Sequence, residues 1–158
     1  MKLSDIVPEN AIVPELSSTK RDDVLTELVD ALITSGVAEA GDRDAILSKL
    51  IEREKKGSTG FGRGVAVPHV KHGSIERMAA AVGLSQRGID FDALDSQPVY
   101  SVFLLLGPED KPEEHLQAME IIFKSLSADQ FRRFLRQAST VEEVRTLLEE
   151  AEQTQPPG

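Results

Sequence analysis

Residues 52–72 read EREKKGSTGFGRGVAVPHVKH, and the order of the parts in this stretch decides how the rest of the chain is read. A charged run ends at Gly57. Further glycines follow at 60, 62 and 64, with Ser58 and Thr59 between the first two, and Val65-Ala66-Val67 is a short β-type run. The Pro68 ring pushes Val67 toward extended geometry. The prediction is therefore helix, glycine-rich loop, strand. From Lys55 to Ile75 there is no Asp or Glu, while Lys55, Lys56, Arg63 and Lys71 are cationic. In a chain of net charge −9 such a window is a place where an anion can rest, with glycine N–H groups and the two hydroxyls as donors.

The order excludes two familiar phosphate loops. A Walker A loop needs Gly-Lys-Ser/Thr opening a helix, and these glycines lead instead into Val65-Ala66-Val67-Pro68. A dinucleotide fingerprint needs a strand before its glycines and a helix after them, the reverse of what stands here. A glycine-rich turn with no ligand is the alternative. His69 follows Pro68 at the end of the β-run. An imidazole held rigidly beside a loop free of acids is a competent nucleophile near neutral pH. One ring nitrogen can be fixed by a backbone hydrogen bond while the other faces the reagent, and nearby donors stabilise charge on a transferred group.

Outward from this stretch, the first half reads as helix. Thr19 is a candidate N-cap for a stripe of Val24, Leu25, Leu28, Val29, Leu32 and Ile33 that Gly36 ends. A second helix starts near Asp42, buries Ile46, Leu47, Leu50 and Ile51, and stops at Gly57. Residues 78–85 and 99–106 are apolar enough for buried strands. Pro112 suits a first helical turn, with Leu116, Met119, Ile122, Phe123 and Leu126 following. Ser127 with Gln130 reads as a capping box ahead of Phe131, Phe134 and Leu135. Thr140 with Glu143 reads as another, ahead of Val141, Val144, Leu147 and Leu148. Helices, then strands, then helices predict a sheet covered on both faces.

The 158 residues suit one domain, with a polar tail over 152–158 expected to be disordered. There is no cysteine, which excludes disulfides and thiolate chemistry and fits a reducing cytoplasm. No apolar run approaches the roughly 20 residues that cross a bilayer, and MKLSDIVPEN has no secretory h-region. The acidic balance, one Tyr, six Phe and no Trp argue against a nucleic-acid surface.

The string Arg53…Gly57-Ser58-Thr59-Gly60-x-Gly62-x-Gly64-Val65-Ala66-Val67-Pro68-His69 resembles the active-site signature of enzyme IIA of the phosphoenolpyruvate-dependent sugar phosphotransferase system. The class is fructose/mannitol, which includes the nitrogen-regulatory IIA proteins, and the resemblance runs from Leu3 to about Glu150. It implies an α/β fold, a three-layer α/β/α sandwich around a mixed sheet, with one IIA domain over 1–151. It also implies a cytoplasmic transferase component whose phosphorylated residue is His69, normally on Nε2. Arg53 would pair with phosphate oxygens, His115 would approach the active histidine, and Ser58, Thr59 and Gly60 would lie near the phosphate. No cofactor or metal is implied. The donor would be an HPr-like phosphocarrier; the acceptor would be a IIB domain or a regulatory target protein, with no nucleic acid and no membrane insertion. Regulation by target binding is the second reading. A zinc site from His69, His72 and His115 is a third. Arg63 stands where nitrogen-regulatory members often have Asn. His72 has no assigned role, and Lys71 would either help attract a donor or acceptor phosphate or be ordinary surface.

Overall fold

The two long apolar runs become β5 (Ala79–Ile89) and β6 (Val99–Gly107), which pair antiparallel at the centre of the sheet. The computed structural model of the chain describes residues 1–153. Successive side chains of a strand point to opposite faces, so a doubly covered strand must be apolar at every position. Ala79, Ala81, Val102, Leu104 and Leu106 enter one core, and Ala80, Val82, Phe103 and Leu105 enter the other.

The first core is closed by α2 (Arg21–Thr34) and α3 (Arg43–Lys56), which bring Leu25, Leu28, Leu32, Ile46 and Leu50 to it. The second is closed by α1 (Leu3–Ile6), α4 (Pro112–Leu126), α5 (Asp129–Gln137) and α6 (Val141–Gln153). The remaining strands are β1 (Ile12–Val13), β2 (Gly60–Gly62), β3 (Val65–Ala66) and β4 (His69–Lys71). The order is β1-β5-β6-β3-β2, with β4 also on β6. The pairs β1/β5, β3/β6 and β4/β6 are parallel, and β5/β6 and β2/β3 antiparallel. This is the expected three-layer α/β/α sandwich with a mixed sheet. No helix among the described residues is long and apolar enough to cross a membrane.

β3 and β4 are one line along β6 with a break. Ala66 sits opposite Val102 and His69 opposite Leu105, three residues on in both strands. Pro68 between them has no N–H to give, yet its carbonyl still accepts from Leu105 N–H at 2.9 Å. On the other side Val67 N–H reaches Thr59 O at 3.2 Å, the end of the pairing with the β2 side.

Some local readings hold and others do not. Gly36, at φ +80°, follows α2. Thr140 does cap α6: its hydroxyl accepts Glu143 N–H and donates to Glu143 Oε1, both at 3.1 Å. Thr19 does not cap α2, which starts after Lys20 without a side-chain cap. Ser127 does not cap α5; its hydroxyl donates back to Lys124 O, and the helix starts after Ala128. In α4 Ile122 and Leu126 are buried as expected and Met119 packs against the second core, but the other inward positions belong to His115, Ala118 and Ser125. Leu116 and Phe123 are exposed, as is Phe134 on α5. Of the tail expected over 152–158, Glu152 and Gln153 belong to α6, and Ser4 N–H donates to Glu152 Oε1; 154–158 lie outside the described residues.

The glycine-rich stretch is a hairpin. Gly60 and Gly62 pair with Ala66 and Val65, and Gly62, Arg63 and Gly64 all have positive φ, +115°, +60° and +76°. For Arg63 the left-handed conformation crowds Cβ against the following carbonyl, whereas Asn tolerates it. Asn would hold this turn at lower cost. Arg63→Asn should stabilise the chain by about 0.5–1 kcal/mol, read as a higher urea midpoint at unchanged slope; a lower midpoint would refute the account.

Candidate functional site

His69 opens β4, immediately past the Pro68 break, and is half-buried. Its Nδ1 lies 2.9 Å from Val67 O. A carbonyl oxygen only accepts, so the neutral ring must carry its proton on Nδ1 and leave the lone pair on Nε2. The backbone thus selects the tautomer and frees the nitrogen that the sequence reading nominated.

The ring of His115 stands across from it, centroids 5.7 Å apart at 54°. His115 comes from the first turn of α4, where it fills the inward position that the apolar pattern assigned to its neighbour. It is only 7% exposed, and its Nδ1 is buried with no hydrogen-bond partner among the described residues. A Cβ on Gly107 would stand 3.3 Å from that nitrogen, so glycine leaves the room in which the ring lies. Burial, and then the neighbouring His69 and Lys71, push its pKa down from the ordinary 6.5 to about 4. At pH 7 His115 is a neutral imidazole.

The two rings line an open cleft of about 340 Å³ with Lys49, Glu52, Arg53, Lys56, Val70 and Lys71. Arg53 lies in the last turn of α3, and its Nη1 donates to Gly57 O at 2.7 Å. Lys49, Arg53 and Lys56 are spaced by four and three residues, which puts them on one face of α3. Sequence reasoning missed Lys49, and it missed Lys56 as a cleft residue, although that helical spacing was legible. Lys49 Nζ also reaches Lys71 O at 3.3 Å and Glu109 at 3.2 Å, tying α3 to β4.

The loop residues are less convergent than expected. Ser58 is half-buried, and its Oγ accepts Gly60 N–H at 2.9 Å. Thr59 is buried and committed elsewhere: its N–H and its hydroxyl both go to the Glu54 carboxylate. Gly60 lies within β2, where a Cβ would come within 2.9 Å of Ala93 Cβ. None of the three lines the cleft. The glycines build the hairpin, and the cationic side chains that line the cleft come from α3 and β4. His72 turns away as well, with its Nδ1 on Ser74 Oγ and N–H at 2.7 and 3.2 Å. The three imidazoles do not converge, and among the described residues no group of three or more ligating side chains could hold a metal ion.

Beside the cleft lies an exposed apolar strip. Leu116, 61% exposed, directly follows His115, and Phe123 is seven residues further along α4, about 10 Å. The Phe123 ring packs against Phe61 of β2 with centroids 5.1 Å apart.

Comparison with known proteins agrees with this geometry. The family model described as "Phosphoenolpyruvate-dependent sugar phosphotransferase system, EIIA 2" matches residues 5–151. The chain is 33% identical over 148 residues to the PTS system fructose-specific EIIA component of Haloferax volcanii, covering 94% of this chain and 95% of that one. It is 31% identical over 140 residues to the PTS system fructose-specific EIIABC component of Bacillus subtilis, covering 89% of this chain but spanning only 22% of that protein's length. The crystal structure of nitrogen regulatory protein IIA-Ntr from Neisseria meningitidis superposes with a TM-score of 0.82 at 31% identity, covering 92% of this chain and 98% of that one. The fold recurs in enzyme IIAMTL of Escherichia coli, solved in complex with phosphorylated enzyme IIBMTL, with a TM-score of 0.72 at 19% identity, covering 90% and 95%.

The depressed pKa of His115 ties stability to pH with a definite sign. As pH falls below 6.5 the unfolded chain takes up a proton that the folded one refuses until about 4, so stability drops between those values and the effect levels off below. Between pH 7 and 4 the wild type should lose more stability than His115→Asn, measured by urea midpoints. Equal losses would show that the ring is not held neutral.

Proposed function

The chain belongs to the EIIA 2 family of the phosphoenolpyruvate-dependent sugar phosphotransferase system, whose members are phosphoryl-carrying transferase components, and we propose that His69 is the residue that carries the group here. One observation supports this most: the Val67 carbonyl occupies Nδ1 and leaves the Nε2 lone pair of a cleft-lining imidazole.

In the proposed step an HPr-like phosphocarrier presents a phosphohistidine to the cleft. The Nε2 lone pair attacks phosphorus in line as the carrier's N–P bond breaks. A donor ring protonated on its second nitrogen leaves as neutral imidazole. His69 becomes an Nε2-phosphoimidazolium whose Nδ1–H stays on Val67 O. The transferring group is anionic, and little covalent work remains for the protein beyond positioning and charge stabilisation. Arg53 has spent one of five donors on Gly57, and the others are available to phosphoryl oxygens. Lys49, Lys56 and Lys71 add positive potential. Neutral His115 can sit beside His69 without opposing a cationic ring. Ser58 is the loop hydroxyl that remains a candidate phosphate donor.

The loaded chain would pass the group to a IIB domain, as the relationship to enzyme IIAMTL suggests, docking through the apolar strip of Leu116, Phe123 and Phe61. Regulation is the second reading, favoured by the match to the nitrogen regulatory protein from Neisseria meningitidis. Its mark would be target binding that survives His69→Ala while transfer is lost.

Incubation with phosphoenolpyruvate, enzyme I and an HPr-like carrier should give one acid-labile, base-stable phosphate, the behaviour of a nitrogen–phosphorus bond. His69→Ala should abolish it, and persistent labelling would mean another nucleophile. Arg53→Ala should fold normally and transfer at least about 100-fold more slowly, the scale for losing one preorganised transition-state donor. Phe123→Ala should raise KM for the IIB acceptor domain roughly tenfold and leave kcat in place, as for a docking residue; a fall in kcat alone would place Phe123 outside the docking surface.

A further inference from the structure

Glu54 is the one acid buried in the last turn of α3, 3% exposed and adjacent in sequence to Arg53. Burying a carboxylate is costly unless donors replace its water. Among the described residues those donors all come from Thr59: its N–H lies 3.1 and 3.3 Å from the two oxygens, and its hydroxyl donates to Oε1. The Thr59 carbonyl in turn accepts Val67 N–H at 3.2 Å, and the Val67 carbonyl accepts His69 Nδ1–H at 2.9 Å. An unbroken series of contacts therefore runs from a buried charge to the imidazole: Glu54, Thr59, Val67, His69.

We propose that Glu54 is a positioning residue for His69: its carboxylate locks Thr59, Thr59 holds Val67 in the sheet, and the Val67 carbonyl then holds the Nδ1–H tautomer that exposes Nε2. The inference deepens the reading of His69 as phosphoryl acceptor and rests on it for its catalytic consequence. The chemistry explains why an acid stands here. A carboxylate only accepts, and it meets three donor contacts on two oxygens. A glutamine amide of the same shape would turn an NH2 toward a donor and leave part of the set unmatched. The hold matters because only alternate residues of this line face β2: the next N–H on that side after Val67 belongs to His69 itself, so Thr59 is the last grip on the carbonyl that selects the tautomer.

The test uses the full chain with 15N-labelled histidine. Long-range proton–nitrogen spectra at pH 8 report which ring nitrogen of His69 is protonated, the signal being assigned by its loss in His69→Ala. Wild type should show Nδ1–H with a bare Nε2. Glu54→Gln and Thr59→Val should show a mixture of tautomers, with transfer at saturating carrier slowed roughly tenfold and KM unchanged, the pattern of misplacement rather than lost binding. Thr59→Ser, which keeps both donors, should match wild type on both readouts. A folded Glu54→Gln chain with a single Nδ1–H tautomer and wild-type transfer would overturn the proposal. If Glu54→Gln does not fold, the Thr59 pair decides: Val and Ser variants alike in tautomer would overturn it equally. The ring signals do not depend on phosphorylation. A tautomer shift in Glu54→Gln, together with undiminished labelling of His69→Ala, would remove the carrier reading and keep the positioning one.

Discussion

The Val67 carbonyl holds the Nδ1 proton of His69, and the arrangement around His69 depends on that contact. Alternate residues of this line face opposite neighbours: Pro68 O accepts from Leu105 of β6, and Val67 N–H turns to Thr59 on the β2 side. The pairing toward β2 ends at Val67 N–H, while the parallel pairing with β6 continues through Pro68 O and β4. One edge is held and the other is open. The imidazole at the start of β4 is thus carried by a rigid sheet and still lines a cleft. Thr59 N–H, which would return to Val67 O in a reciprocal antiparallel pair, goes to Glu54 instead, and the Val67 carbonyl takes the Nδ1 proton.

Charge is divided in a way the net value hides. The chain carries −9 overall, yet Lys49, Arg53, Lys56 and Lys71 meet at the cleft from one face of α3 and from β4. Glu52 is also there, so the surroundings are biased rather than purely cationic. The two histidines divide the work by environment. His69 has a backbone partner for one nitrogen, whereas His115 is packed beside Gly107 with a buried Nδ1 that has no hydrogen-bond partner among the described residues. Desolvation keeps His115 neutral, so no second cationic ring stands beside His69.

Much of the framework was legible because it rests on local periodicity. The stripes of α2 and α3, the doubly apolar runs of β5 and β6, the Thr140 cap and the Pro112 start each follow from side-chain chemistry within a few residues. The misreadings share a cause. In α4 an apolar count favours Leu116 and Phe123, whereas packing puts His115 inward and leaves those two exposed. Ser127 and Thr19 have capping chemistry, but neighbouring backbone set the helix starts elsewhere. Thr59 reads as a ligand donor until a buried acid five residues away claims both of its donors.

The amino-acid order alone determined the α/β architecture, the break before His69 and the family to which the motif points, since these depend on hydrophobic period and on proline and glycine stereochemistry. Tertiary structure alone decided which side chains share the cleft, which tautomer His69 adopts and that His115 stays uncharged. Those are matters of distance and solvent exclusion between residues up to 66 positions apart, from Lys49 to His115, and no local pattern encodes how far water has been removed from a ring.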